Sequence, residues 1–585
     1  MASEAPSANA GDRQNTVYTV RANCLDCYRC VRSCPVKAIR VTRGQAFVVD
    51  DLCIKCGACV RECPQRAKTI RSSLEQVKHL IAGGKNVIAS IAPSFPAVFN
   101  GWRASRLPSA LRMLGFSHVA ETAEGADAIT AESLDNLARG SICTACPAVV
   151  NYIEKYRPEY VHRLIPVVSP MIAHGRMLKQ RYGEDCAVVF IGPCAAKKSE
   201  AERPENIDAI DEVLTFTELL SWLEEKGIDL RSCAETGFES HTYDGKAKLF
   251  ALQGGMLKTG GIDCDGTEGD TLHVSGAENV MDLFSIPMTK WHFRVVEPLF
   301  CNGGCINGPA LPRDKNIYER RSAVVEYAEA PGAPQAASEK EPVLLQTTFD
   351  DAGAIALPDD VTEEQIKQVL KSTGKLEPSA QLNCGACGYR GCLEQAIAVA
   401  RKLAEAEMCM PYMRRLAQQR TDRIIETSPS GVVVLDSELH IIIMNPAFQR
   451  MFMCNNAIVG RRISYLVNAD GYEQMQSGAV DHYESIRTKY GIKYHEQLYA
   501  LREEKQYVGM YSDISQLKFE AGHIDLLKRQ TLAQAKDLLD HQISFSQGMA
   551  HYLGKSTARN EEFVRRLMTL FESESSETND PNAPR

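Results

Sequence analysis

Ala187-Val188-Val189-Phe190-Ile191-Gly192-Pro193-Cys194-Ala195-Ala196-Lys197-Lys198-Ser199-Glu200 decides the fold. Its opening residues form a short, continuous apolar run, the pattern of a strand buried on both faces. Gly192 and Pro193 end that run and leave Cys194 at the strand's carboxyl end, where α/β folds carry their sites. A second apolar run, Asn86–Ala92, reads as a similar buried strand, and Leu107–Gly115 as a helix stopped by glycine. The middle of the chain is therefore expected to be a mixed α/β domain. Two more bent loops with thiols fall in the same stretch: Cys143-Thr144-Ala145-Cys146-Pro147 and Cys301-Asn302-Gly303-Gly304-Cys305.

The chain around this stretch has 585 residues, enough for several domains of ~100–200 residues each. It is 44% hydrophobic and 24% charged, which is ordinary for a soluble globular protein. The net charge of −8 is spread along the chain, so no basic face invites nucleic acid. No apolar run reaches the ~18–20 residues that span a bilayer. The polar start, MASEAPSANAGDRQN, lacks a basic segment followed by an apolar core, so a cytoplasmic location is expected. The 21 cysteines fall mostly into tight clusters, which favours metal thiolates over disulfides in such a chain.

Upstream, Cys24-x2-Cys27-x2-Cys30-x3-Cys34-Pro35 repeats as Cys53-x2-Cys56-x2-Cys59-x3-Cys63-Pro64. This is the two-cluster bacterial ferredoxin spacing, in which the fourth cysteine of each run ligates the other cluster. Cys24, Cys27, Cys30 and Cys63 are expected on one 4Fe-4S cluster, and Cys53, Cys56, Cys59 and Cys34 on the second. Zinc, the alternative, usually takes paired C-x2-C units instead.

The three loops together resemble the signature motifs of the FeFe hydrogenase family, and the resemblance covers about residues 20–315. It implies an H-cluster: a 4Fe-4S cube joined through one cysteine to a two-iron subcluster with CO, CN⁻ and azadithiolate. Carried over by position, Cys146, Cys194, Cys301 and Cys305 hold the cube, with Cys305 as the bridge. Lys197 matches the lysine that hydrogen-bonds a cyanide. Ala92-Pro93-Ser94 matches the segment beside the other cyanide. Ser169-Pro170 matches a pair near the subcluster, and Glu200 an acid just past the lysine. Two alternatives stand beside this: buried structural cysteines, and iron–sulfur proteins that keep the cysteines without the two-iron subcluster. Lys197 and Ala92-Pro93 argue against the second. Cys143, Cys186, Cys233, Cys264 and Cys454 fit no motif and are expected to be structural, Cys143 lying nearest the site.

The resemblance also marks departures. Catalytic members carry a relay cysteine where this chain has Ala145, and a methyl group cannot pass a proton. They carry methionine where it has Gly192 and Leu299. After Gly125-Ala126-Asp127 the segment offers only Glu132, Ser133 and Asn136 for the downstream relay. The expectation is slow, reversible H2 turnover; a relay through water or Cys143 is the alternative.

Beyond a Pro/Ala/Glu-rich linker, Thr362-x-x-Gln365 reads as a capping box. Cys384-x2-Cys387-x4-Cys392 and Cys409 then resemble a small four-cysteine module of corrinoid and carbon monoxide dehydrogenase-associated proteins, expected to bind a third accessory 4Fe-4S cluster or, alternatively, zinc. Leu393–Met408 reads as one unbroken helix. Ser428–Asp436, Ile441–Phe448, His495–Leu501 and Tyr507–Asp513 resemble the PAS family, preceded by a helix at Arg414–Ile425. Ile524–Leu539 and Asn560–Phe571 read as further helices, and His551 as a surface or interface histidine.

The expected fold class is multidomain α/β and α+β. The order is a disordered tail (1–15), a two-cluster ferredoxin domain (16–75), an H-cluster domain (76–325), a linker (326–345), the four-cysteine module (346–415), a PAS domain (416–518), helices for dimerisation and output (519–572), and a tail (573–585). A hydrogenase core joined to PAS resembles the sensory subgroup of the family. The implied partners are H2 and protons, a redox protein such as ferredoxin, hydrogenase maturation proteins, a separate kinase or phosphatase, and a second copy of the chain.

Overall fold

The computed structural model describes residues 15–239, 245–262, 270–330, 343–350 and 361–515. Cys264, His551, both tails and the helices expected at Ile524–Leu539 and Asn560–Phe571 lie outside them. The chain divides into two compact units, 1–408 and 409–585. Among the described residues, no helix is long and apolar enough to cross a membrane.

The first unit opens with the cysteine repeat. Val17–Thr19 pairs antiparallel with Lys68–Ile70, and Ile39–Thr42 with Gln45–Val48. Short helices Arg29–Ser33 and Ala58–Glu62 follow the second cysteine of each run and carry the third. Each is entered through a left-handed residue, Tyr28 (φ 52°) in the first copy and Gly57 (φ 72°) in the second. Gly57 has a further reason to be glycine. A Cβ there would meet Pro309 Cβ at 2.6 Å, so the second loop is pressed against the domain that follows.

That domain is built on two parallel sheets. The larger runs His118–Glu121, Val87–Ile91, Ala187–Gly192, Glu212–Thr215 in spatial order. Its two central strands are buried along their whole length, which is why they read as unbroken apolar runs. The smaller runs Thr271–Ser275, Val295–Leu299, Ser141–Ile142. The expected helix at Leu107–Gly115 starts earlier, at Trp102, and carries Pro108 within its first turns. Helix Ile317–Glu329 closes the domain, so the boundary expected at 326 falls inside its last turn. Residues 343–349 then return to the domain: Val168 N donates to Leu345 O at 2.9 Å and Thr347 N to Pro166 O at 3.0 Å.

The capping box is present. Thr362 accepts from Gln365 N, and Gln365 from Thr362 N, at the start of helix Glu363–Ser372. The unbroken helix expected over Leu393–Met408 is not. The helix Cys392–Ala400 stops, and a 3-10 turn follows at Ala406–Met408. Lys402 adopts φ 59° and Leu403 N donates back to Ala398 O at 2.9 Å, a Schellman closure made without glycine. The turn frees Leu403 O to accept from Val41 N at 2.9 Å.

The second unit starts with helix Met410–Thr427 and an antiparallel sheet in the order Ile441–Met444, Gly431–Leu435, Gln506–Asp513, Ile492–Leu501, His482–Lys489. Asn445 ties the helix to the sheet. Its amide donates to Ile425 O and Ser430 O, and its oxygen accepts from Val432 N and Phe448 N. Phe448, Phe452, Tyr472, Tyr494 and Tyr511 fill the interior.

Candidate metal centre

Four loops of the first unit share one placement. Ala92-Pro93-Ser94, Cys143–Cys146, Pro193-Cys194 and Phe300-Cys301 each leave the carboxyl end of a parallel strand. Parallel packing of these strands is what gathers motifs separated by as much as two hundred residues.

Local sequence then fixes each side chain. Cys146 caps helix Pro147–Tyr156 and Ser169 caps helix Pro170–Tyr182, each with proline in the first turn, where a missing N–H is harmless. Thr144 Oγ1 donates to Val167 O at 2.8 Å and pins the first loop. Gly303 (φ 74°) and Gly304 (φ 96°) bend the last loop between Cys301 and Cys305, and a Cβ on Gly304 would meet Ala251 O at 2.5 Å.

Cys146, Cys194, Cys301 and Cys305 are brought together. Burial pushes all four thiols up, Cys194 to about 11. The charge of Cys146 raises Cys194, and the other thiolates raise Cys301 and Cys305. Lys197 opposes this at Cys146, Cys194 and Cys305. Buried thiols that repel one another on ionising suit a cationic centre, which removes the protons and supplies the missing charge. Each retains some accessible surface. Ser94 Oγ, in the loop that follows strand Val87–Ile91, is buried and has no protein hydrogen-bond partner. The donor set and the orphaned hydroxyl fit an iron–sulfur group with hydrogen-bond acceptors of its own.

Lys197 Nζ donates to Ser169 Oγ at 2.8 Å and pairs with Glu200 Oε2 at 2.7 Å, all three side chains being buried. Ala92 packs near Gly192, where a Cβ would stand 3.2 Å from the alanine methyl. Ala145 is half-buried against the core and Leu299 is buried. A cleft lined by Thr144, Ser169, Glu200, Arg203, Thr347 and Phe349 opens alongside.

One acid escaped the motif reading. Glu297 sits buried in the strand Val295–Leu299 and accepts from Met256 N at 3.2 Å and Leu257 N at 3.1 Å. Burial lifts its carboxyl to about 7 despite those donors, and its charge is felt by Cys143 and Cys305. The available signal was a lone acid in an otherwise apolar strand, Val295-Val296-Glu297-Pro298-Leu299. Asp127, Glu132 and Asn136 lie on helix Ala123–Asp135 and its cap, where Asn136 bonds Glu132. Cys186 and Cys233 are buried in the main core and Cys454 lies at the edge of the second unit's core.

In the cysteine repeat, thiols of the two runs influence one another. Burial raises Cys30 to about 11, with Cys24, Cys27 and Cys63 adding to it. Burial raises Cys34 to about 12, with Cys53 adding to it. Cys59 in turn feels Cys34, Cys53 and Cys56. Cys34 Sγ accepts from Ala38 N, and Cys63 Sγ from Ala67 N, both at 3.2 Å. Cys56 feels Cys194, and Cys301 feels Cys56, so the second set faces the four central thiols. Downstream, Cys387 and Cys392 are buried and Cys384 is exposed, while Asn383 Oδ1 accepts from Cys392 N at 2.8 Å. Cys409 is buried and caps helix Met410–Thr427 in the second unit. Among the described residues, no three His, Cys, Asp or Glu side chains converge closely enough to hold a single metal ion.

Comparison with known proteins agrees with this layout. Residues 85–309 match the family described as iron only hydrogenase large subunit, C-terminal domain. Residues 16–67 match a 4Fe-4S dicluster domain, 380–411 an Fe-S cluster family and 419–478 a PAS domain. Residues 85–309 are thus FeFe hydrogenase-like, and the same chain carries a PAS domain. It is 27% identical to iron hydrogenase 1 of Clostridium pasteurianum over 52% of this chain and 66% of that one. It is 26% identical to the NADP-reducing hydrogenase subunit HndD of Solidesulfovibrio fructosivorans over 41% of this chain and 51% of that one. It is also 24% identical to a cytosolic Fe-S cluster assembly factor of Danio rerio, over 51% of this chain and 86% of that one.

Proposed function

We propose that the protein is an H2-responsive FeFe hydrogenase of low turnover that passes its redox state through 4Fe-4S clusters to the PAS unit. The observation that carries this reading is Ala145. Beside it stand the four thiols, Lys197 and the Ala92–Ser94 segment of a hydrogen-activating site, yet the residue that would take the first proton is a methyl group.

Cys146, Cys194, Cys301 and Cys305 would hold the cube, and Lys197, oriented by Glu200 and Ser169, would donate to a cyanide. Ser94 Oγ and the Ala92-Pro93 backbone would border the other cyanide. Bound there, the H-cluster supplies heterolytic H2 cleavage and accepts the electrons. The protein's part is to remove the proton. Ala145 cannot do so; Cys143 and Glu297, an acid that burial lifts to about 7, would form a second, indirect exit. Electrons would leave by the cluster of Cys34, Cys53, Cys56 and Cys59, then by that of Cys24, Cys27, Cys30 and Cys63. The PAS unit would bias a separate kinase or phosphatase, in a dimer built through that unit. A catalytic, ferredoxin-linked hydrogenase with PAS as a regulatory module is the neighbouring reading, and turnover rate separates the two.

The similarity to Fe-S cluster assembly factors favours one other reading, an iron–sulfur scaffold without the two-iron subcluster. Lys197 and Ala92-Pro93 have no evident task in such a scaffold. Infrared spectra of protein matured with hydrogenase maturation proteins decide between them. Bands of iron-bound CO and CN⁻ are expected; their absence from matured, iron-replete protein would sink the hydrogenase reading.

A further inference from the structure

The loop bearing Cys384 and Cys387 is seated on the first cysteine motif. Arg32, between Cys30 and Cys34, donates Nη1 to Ala386 O and Nη2 to Cys27 O, both at 3.0 Å. Lys37 Nζ donates to Gly388 O at 2.7 Å and Val31 O at 3.1 Å, and lies 5.8 Å from the centre of the Tyr389 ring. Gly388 (φ 94°) is so close that a Cβ would meet Val31 Cγ1 at 2.9 Å and Arg32 N at 3.1 Å. A second row of bonds fixes the other edge. Glu405 accepts from Arg43 N at 2.6 Å and Gly44 N at 3.4 Å, beside the Val41–Leu403 bond.

Two cations thus join backbone carbonyls of one cysteine loop to those of another, more than three hundred residues away in sequence. Neither has a carboxylate partner in these bonds. Hydrogen bonds and local charge are the levers by which proteins tune iron–sulfur clusters, and close backbone contact is what fixes the distance between them.

We propose that residues 380–408 are an electron outlet docked on the first cysteine motif, with Arg32 and Lys37 as positioning residues that hold the Cys384–Cys387 loop against its donor. This rests on the reading that both modules hold 4Fe-4S clusters. The step is a one-electron exchange. A reduced cluster of the cysteine repeat loses one electron and the outlet cluster gains it, with no bond made or broken and no proton moved. H2 oxidation supplies two electrons and two protons per molecule, and dithionite supplies electrons in the test. The module therefore receives electrons from the repeat, and the central thiols need not touch it.

The test uses full-length, iron-replete protein reduced with dithionite. Loss of iron in Cys387→Ser, and the electron paramagnetic resonance signal lost with it, assign the outlet cluster. In Arg32→Gln/Lys37→Met the iron content is expected to stay, while magnetic coupling of that cluster to its neighbours weakens and its reduction in stopped flow slows by about tenfold, as misplacement does where geometry sets rate. Arg32→Lys/Lys37→Arg should restore coupling in large part. Unchanged coupling and rate in the Gln/Met variant overturn the docking role alone. No iron lost in Cys387→Ser overturns the cluster reading beneath it.

Discussion

Lys197 Nζ lies 2.7 Å from Glu200 Oε2, one turn along the same short helix, and both side chains are buried. The pair explains how an ammonium is kept beside four thiols without relying on them for its counter-charge. Removing one partner of a buried pair typically costs about 3–5 kcal/mol. Glu200→Ala should therefore lower the melting temperature of the first unit and shift the cyanide infrared bands as Lys197 reorients. Glu200→Gln, which keeps an acceptor, should shift the bands less. Unmoved bands in Glu200→Ala would show that Lys197 is held by Ser169 alone.

Ala145→Cys should raise H2 turnover by about 10²-fold or more, the usual worth of a positioned proton donor. The measurement is the maximal rate with an artificial electron acceptor at fixed H-cluster occupancy. A rate in the wild type already matched by the variant would mean that the exit is not limiting.

Glu297→Gln should act in the opposite sense. It keeps one acceptor for the Met256 and Leu257 amides and should leave iron content and infrared bands intact, yet it cannot exchange a proton. Turnover should fall in the wild-type background and recover in the double variant with Ala145→Cys, because the new thiol bypasses the acid. Equal losses in both backgrounds would assign Glu297 a purely structural part.

Glu124 supplies a pH test away from the metal centre. Burial alone would raise its carboxyl, but the His174 ring, 3.5 Å away, and then the hydrogen-bonded Arg181 guanidinium outweigh this and hold it at about 2. A depressed carboxylate stabilises the folded state above its unfolded value, about 4.3, and that stability is lost as pH falls through the folded value. The shift corresponds to about 3 kcal/mol at neutral pH. Glu124→Gln should melt well below the wild type at pH 7 and converge with it towards pH 2 to 3.

The second unit offers a packing test. A Cβ on Gly509 would collide with Tyr472 Oη, which is bonded to Tyr511 Oη at 2.8 Å in the filled core. Overpacking of this kind costs about 1–3 kcal/mol. Gly509→Ala should lower the melting transition of the second unit alone and leave the infrared bands of the first in place.

What could be read before the structure was what is local. The two central strands declared themselves as apolar runs, the capping box as Thr362 and Gln365, and the site loops as cysteines on glycine and proline. The helix break after Ala400 could not be read, because Lys402 takes the left-handed turn that glycine normally announces. Glu297 was hidden for another reason. Its donors, Met256 and Leu257, and the thiol that feels it, Cys143, belong to two other segments, and only the folded domain makes them neighbours. Arg32 and Lys37 read as ordinary charges of a short repeat until the loop of Ala386 and Gly388 is laid on them.

The duplicated cysteine motif has consequences for how such a chain is assembled. Its two copies are equivalent in spacing but not in neighbours: the Gly57 copy is pressed on Pro309 and Ala195, while the Tyr28 copy carries Ala386 and Gly388. An internal repeat of this kind is a two-ended plug. On the proposed electron path one end would serve the central thiols and the other would be a socket, so a chain could acquire a new receiver of electrons without altering the face turned to those thiols.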